Sequence, residues 1–250
     1  MIDHSQMKLG RKPAQPDPRT PLLSQRMKIV KPAPSVDWTK AVDSWGALAN
    51  DQIGDCTAAA AYHLIQIWRA NNFSKWQPND AEAIALYSAT SDYPKEDGGA
   101  VETQVLKYWS TTGVPGDGVT DTIAFCHLFE KNLDELRLSI QIFGGAYLGV
   151  ALPLSAQNQT VWDIATTGTP ADQTVAGSWG GHAVCAVAYD ETSFTVVTWG
   201  ALMKVTPAFM AAYLDEAYAV VSKEWLDVAG IAPQGLSWPQ LAADMKSLAD

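Results

Sequence analysis

The stretch from Cys56 to Asn71 constrains this chain most. Ala58, Ala61 and Leu64 share one helical spacing and Tyr62, Ile65 and Trp68 another, so a helix here is apolar over most of its circumference. Such a helix needs protein on nearly every side, and the rest of the chain has to supply that cover. The turn Asn50-Asp51-Gln52-Ile53-Gly54-Asp55 sets Cys56 at the start of the helix. Unpaired backbone N–H groups and the helix dipole favour a thiolate at that position. A second segment, Gly180-Gly181-His182, opens the apolar, partly β-branched run Ala183 to Tyr189, which reads as a buried strand. A base on a rigid strand can meet a nucleophile on a distant helix.

The 250 residues suffice for one large domain or two lobes around a shared cleft. A net charge of −10 without any basic run argues against a nucleic-acid surface. No apolar run reaches the roughly eighteen residues of a membrane span, and Met1 to Ser5 lacks the basic segment and apolar core of a secretory signal. A cytoplasmic or phage-associated protein is expected, with no membrane partner and no stated oligomeric state. The three cysteines, at 56, 126 and 185, cannot all pair and show no CxxC spacing. No disulfide framework, metal site or cofactor is therefore expected, and one thiol is free for chemistry. Cys126 and Cys185 read as small buried hydrophobes.

Residues 1–36 form an extended N-terminal arm or strap, with Pro13, Pro16, Pro18, Pro21, Pro32 and Pro34 limiting periodic structure. Asn79 or Asp80 can cap a helix through Tyr87, and Val101, Val105, Leu106 and Trp109 give another that ends at Gly113. A helix is expected over Ile123 to Leu138, carrying Cys126 and His127. The character then changes to β-prone pieces at Ala146 to Leu152, Ala183 to Tyr189 and Phe194 to Trp199. A helix from Pro207 to Leu214, an apolar piece Ala217 to Val221 and a terminal amphipathic helix follow. The expected class is α+β with a cleft between halves: residues 37–230 as the main domain, a helical lobe over about 50–118, a β-rich lobe over about 119–230, and a C-terminal helix in 231–250. His63 and the dispersed tryptophans read as core.

The order of parts, a Cys at a helix start, the turn Asp97-Gly98-Gly99, then a His on a late strand, resembles the papain-like cysteine peptidases. That resemblance implies a two-lobed fold, with a helical left lobe and an antiparallel β-sheet or barrel in the right lobe. It implies Cys56 as nucleophile and His182 as base. The family's oxyanion-hole glutamine, six residues before the nucleophile, falls on Asn50, with Gln52 as a stand-in. Gly98 and Gly99 resemble the segment that pairs with the substrate backbone, and Gly181 precedes the histidine in its strand. Trp199-Gly200 resembles the end of the family's Asn-Ser-Trp-Gly motif, whose asparagine falls on Val197 and whose serine falls on Thr198. No asparagine follows His182. Thr198 can orient the imidazole through its hydroxyl, whereas Val197 cannot. Asp55 opposes a thiolate unless it points away or pairs with His182.

The expected function is thiol hydrolysis of an amide or ester bond in a peptide or small acyl substrate. Two other readings stand beside it. One is a papain-fold binding or structural protein with weak or no catalysis. The other is an amidase or acyltransferase acting on cell-wall peptide or small acyl groups.

Overall fold

Every residue from Cys56 to Trp68 is buried, and the fold is organised around that requirement. The computed structural model describes residues 4–72, 74, 76–116, 123–130 and 132–249. A short strand β1 (Val36–Asp37) precedes three helices, α1 (Cys56–Asn71), α2 (Asp80–Thr90) and α3 (Glu102–Thr112). Then come β2 (Ala124–His127), α4 (Leu133–Phe143), β3 (Ala146–Leu152), β4 (Val161–Trp162), β5 (Gly180–Tyr189), β6 (Phe194–Thr198) and β7 (Ala201–Val205). The chain continues through α5 (Pro207–Tyr213), β8 (Leu214–Val221), α6 (Lys223–Ala229) and α7 (Trp238–Ala249). The class is α+β.

One sheet runs β2-β8-β3-β5-β6-β7-β4, with β1 added on β5. Its pairs are antiparallel except for β4 with β7. The alanines of α1 let its backbone come close to the sheet, and the helix packs on β3, β5 and β6. Tyr147 on β3 donates its hydroxyl proton to Thr57 O at 2.8 Å, which ties the first turn of α1 to the sheet. At the other end, the Trp68 indole donates to Phe143 O at 2.7 Å. Burying the Trp68 indole therefore leaves its N–H satisfied. Asn79 caps α2, with Glu82 closing the capping box.

The helix expected over Ile123 to Leu138 is instead two elements. Residues Ala124 to His127 form β2, paired with Val221 to Tyr218 of β8, so Cys126 and His127 lie on a strand. The helix α4 begins only at Leu133, where the Asn132 side chain accepts from the Asp134 and Glu135 N–H groups. A run of apolar residues has no preference between strand and helix until a partner strand is found. Here the partner lies in the last quarter of the chain. Residue 131 of that expectation lies outside the described residues.

The N-terminal segment lies along the body. Leu22 bridges to His127 and Arg11 to Ala100, both in parallel sense, and Val36 pairs with Tyr189. Its far contacts are ionic: Arg26 pairs with Asp244 of α7 at 2.6 Å. Among the described residues, no helix is long and apolar enough to cross a membrane.

Candidate active site

Cys56 opens α1, and His182 is the third residue of β5. The Ala183 N–H donates to Cys56 Sγ at 3.3 Å, so the residue after the histidine touches the sulfur. His182 Nε2 is hydrogen-bonded to Thr198 Oγ1 at 2.7 Å. Its Nδ1 is buried and has no hydrogen-bond partner among the described residues. Trp199 stacks on the imidazole with ring centroids 4.5 Å apart, and Trp162 meets it edge-on. Three elements thus hold one small cluster: a helix start, a strand start and the end of β6. Cys185, on the same strand as His182, is buried in the core.

The loop before Cys56 is held by its own strained turn, with Leu48 and Ala49 at positive φ, a conformation costly for residues with a Cβ. Asn50 is buried, and its amide nitrogen donates to Ile53 O at 3.2 Å. Gln52 is exposed. Asp97 joins this loop to the glycine turn by accepting the Gly54 N–H at 3.0 Å and the Tyr87 hydroxyl at 2.7 Å. The same Tyr87 oxygen accepts from Gly99 N–H at 2.9 Å. Gly98 is exposed and has only the Glu96 side chain near its missing Cβ.

The cleft over the sulfur is filled by the chain's own residues 9–12. Gly10 O accepts from Ala100 N–H at 2.8 Å, Lys12 N–H donates to Ala100 O at 2.9 Å, and Arg11 N–H donates to Gly181 O at 3.1 Å. The walls are bare of side chains where the arm runs. A Cβ on Gly99 would lie 2.2 Å from Gly10 O, and one on Gly181 would lie 2.4 Å from Arg11 O. A Cβ on Gly10 itself would lie 1.7 Å from Gly54 O. The Trp199 indole donates to Lys8 O at 3.0 Å, which pins the arm above the imidazole.

Enclosure decides the protonation states. Burial pushes the Cys56 thiol up to about 12, against backbone N–H donation from Ala183 and Gly10. Burial, aided by the positive charge of Arg11, takes His182 down to about 3. Desolvation disfavours the charged form of each group, so thiol and imidazole are both neutral beneath the arm. Burial also raises Asp55 to about 8, against the weaker pull of the nearby Asn50 amide. Neither Asp55 oxygen has a hydrogen-bond partner among the described residues, and burial favours the protonated carboxyl near neutral pH. It does not pair with His182.

Residues that sequence reasoning missed complete the picture. Arg11 enters a buried pocket, with its guanidinium 2.7 Å from Asp215 Oδ2 and 3.4 Å from Glu216 Oε2. Glu102 stands in the same pocket. Consecutive acids inside the otherwise apolar run Leu214 to Val221 were the available signal. Gly10, Gly54 and Gly149 carried no local signal, because their need is set by what approaches them. Among the described residues, no group of three or more His, Cys, Asp or Glu side chains is arranged to hold a metal ion.

No protein-family model matches the sequence, and no curated protein is similar to it in sequence. Solved structures are similar in shape. Xylellain, a cysteine protease from Xylella fastidiosa, superposes with a TM-score of 0.67 at 17% identity, over 89% of this chain and 98% of that one. Procathepsin B S9 from Trypanosoma congolense gives 0.58 at 12%, covering 88% of each chain. Procathepsin L 3 of the Tenebrio molitor larval midgut gives 0.57 at 13%, over 87% of this chain and 77% of that one. The chain has the papain-like fold. At these identities the likeness is one of architecture, and the chemistry of this papain-like chain has to be argued from its own residues.

Proposed function

We propose that this chain is a papain-like thiol hydrolase acting on an amide or ester bond of a peptide or small acyl substrate, with Cys56 as nucleophile and His182 as base. One observation carries the reading. The Ala183 N–H reaches Cys56 Sγ at 3.3 Å while the adjacent His182 is tied through Nε2 to Thr198 at 2.7 Å, which leaves Nδ1 as the ring nitrogen available on the dyad. With Nε2–H donating to the threonine hydroxyl, Nδ1 takes the Cys56 proton. The sulfur then bonds to the substrate carbonyl carbon, the bond to the leaving group breaks, and the imidazolium returns the proton to that group. Water hydrolyses the resulting thioester. The Cys56 N–H and Asn50, released from Ile53 O, would hold the oxyanion. Gly99 and Gly181 would flank the substrate backbone, with Gln52 and Gly98 at the cleft rim.

In this reading the arm-filled cleft is a resting form. The arm turns the Gly10 N–H, and not a carbonyl carbon, toward the sulfur, which gives the nucleophile nothing to attack. A binding protein on the same fold is the second reading, favoured by the complete burial of Cys56 and His182. A panel of peptides, isopeptides and esters, offered to a full-length Gly10→Ala chain whose arm is displaced, separates the two. Turnover that disappears in Cys56→Ala supports the hydrolase. No turnover, with iodoacetamide labelling no faster than a free thiol between about pH 5 and 8, supports the binding protein.

A further inference from the structure

The pocket that receives Arg11 holds more acid than Arg11 pairs with. Its floor is Gly149 of β3, where an added Cβ would lie 2.9 Å from both Arg11 Cδ and Glu102 Oε1. Gly149 pairs with Ala183 on one side and Glu216 on the other. The pocket is therefore one strand away from the N–H that touches the Cys56 sulfur. On a regular strand, consecutive side chains point to opposite faces. The β3–β8 register shifts between Gly149 and Val150, so that Gly149 faces Glu216 and Val150 faces Leu214. Asp215 is the extra residue. That bulge breaks the alternation, and it brings two successive carboxylates onto the same guanidinium.

A third carboxyl, Glu102, is fully buried, and neither of its oxygens has a hydrogen-bond partner among the described residues. Arg11 Nε is likewise unpartnered. Glu102 thus offers acceptor capacity that Arg11 does not use. Tyr218 donates its hydroxyl proton to Glu216 Oε1 at 2.9 Å, which fixes one acid from behind. Asp215 and Glu216 pair with the guanidinium, and Glu102, raised well above the usual carboxylate range by burial, adds a polar wall, so the pocket selects a planar, permanently charged guanidinium over an apolar group.

We propose that the Glu102–Asp215–Glu216 pocket is an arginine side-chain subsite, for which Arg11 of the arm and an arginine of a bound peptide compete. The hydrolase reading enters only in calling that peptide a substrate. Arg11 wins at rest because it is tethered, which gives it a high effective concentration, and because its backbone also bonds Gly181.

The test uses the full-length Arg11→Ala chain and acetyl-Gly-Arg-Lys-amide as probe, followed by calorimetry and thermal shift. The same peptide with citrulline for arginine, and N-ethylguanidinium, serve as comparisons. The arginine peptide is expected to bind at least about tenfold tighter than the citrulline peptide, and more tightly than N-ethylguanidinium because the backbone contacts add to the side chain. Adding Glu216→Gln is expected to weaken it by at least about thirtyfold. The wild-type chain, its pocket filled, should bind far more weakly than Arg11→Ala. If Arg11→Ala does not fold, Gly10→Ala displaces the arm with the pocket acids intact and takes the same titration.

Equal affinity for arginine and citrulline peptides in a folded variant overturns the proposal and leaves Arg11 as a structural tie. Equal affinity for the peptide and N-ethylguanidinium overturns the assignment to peptides. Binding is read without thiol chemistry and is repeated in Cys56→Ala. Selective binding without turnover therefore sinks the hydrolase and spares the pocket, and turnover indifferent to arginine does the reverse.

Discussion

Substituting Gly10 by alanine tests whether the arm controls the thiol. The new Cβ would sit 1.7 Å from Gly54 O and 2.2 Å from Gly54 C, both of them backbone atoms with little freedom to retreat. Restoring a 3.0 Å contact requires a displacement of about 1.3 Å, which exceeds the tolerance of a hydrogen bond. Three bonds hold this part of the arm: Ala100 N–H to Gly10 O, Lys12 N–H to Ala100 O and Arg11 N–H to Gly181 O. At a net contribution of about 1 kcal/mol each, their loss weakens closure by about 3 kcal/mol. That raises the open population by about two orders of magnitude, since each 1.4 kcal/mol is a factor of about ten. Iodoacetamide reaches Cys56 only in the open form, so its second-order labelling rate should rise by a similar factor. The assay is a labelling time course with mass-spectrometric assignment of the modified cysteine, alongside circular dichroism to show the fold intact. An unchanged rate at Cys56 in a folded variant, or label confined to Cys126 and Cys185, refutes the argument.

Thr198→Val removes the hydroxyl that holds His182 at 2.7 Å with little change in shape; on the proposed hydrolase reading, turnover by the arm-displaced chain should fall about tenfold or more, and Thr198→Ser should restore it. Asp97→Ala deprives Gly54 N–H and the Tyr87 hydroxyl of their shared acceptor, so chemical denaturation should show a loss of about 2 to 4 kcal/mol. Asp55 carries a folded-state pKa raised by burial from 3.8 to about 8, so between those values the folded chain binds the extra proton and this group's contribution to stability falls as pH rises. The stability of Asp55→Asn relative to wild type should accordingly grow between about pH 4 and 8, by up to about 1.4 kcal/mol per pH unit, and then level off. A flat difference across that range in urea titrations contradicts the buried-acid account.

Local signals located what is local. The apolar circumference of Cys56 to Trp68, the Asn79 cap, the stop at Gly113 and the strand run Ala183 to Tyr189 all follow from spacing and capping. They bring out α1, α2, α3 and β5 near their observed limits. The order of Cys56, the glycine turn and His182 made the papain-like architecture legible. What escaped depends on partners remote in sequence. Cys126 was expected on a helix because nothing near it announces Ala219, its register partner on β8. Arg11 sits in a proline-rich stretch with no periodicity, and its ligands are two centuries of residue numbers away, at 215 and 216. The bulge that aims those acids is a property of the β3–β8 register and has no signature within either strand. Thr198 was legible only because His182 and Trp199 fixed where to look.

The strap's long-range ties also bear on the order in which the molecule assembles. Arg11 reaches Asp215 and Glu216, Arg26 reaches Asp244, and the Trp199 indole reaches Lys8 O. None of these contacts can form before β6, β8 and α7 are in place. Contacts of such sequence separation carry the largest loop-closure cost and come late in folding. Leu23 and Met27 of the strap belong to the hydrophobic core, whereas Gly10 to Lys12 are held by backbone hydrogen bonds and the Arg11 ion pairs, so the part over Cys56 is expected to open locally while the sheet and α1 stay folded. Amide exchange at Arg11, Lys12 and Ala100 should therefore report a smaller opening free energy than exchange at the β3–β5 ladder. Access to the Cys56 sulfur is thus governed by how firmly residues 9–12 of the strap are docked.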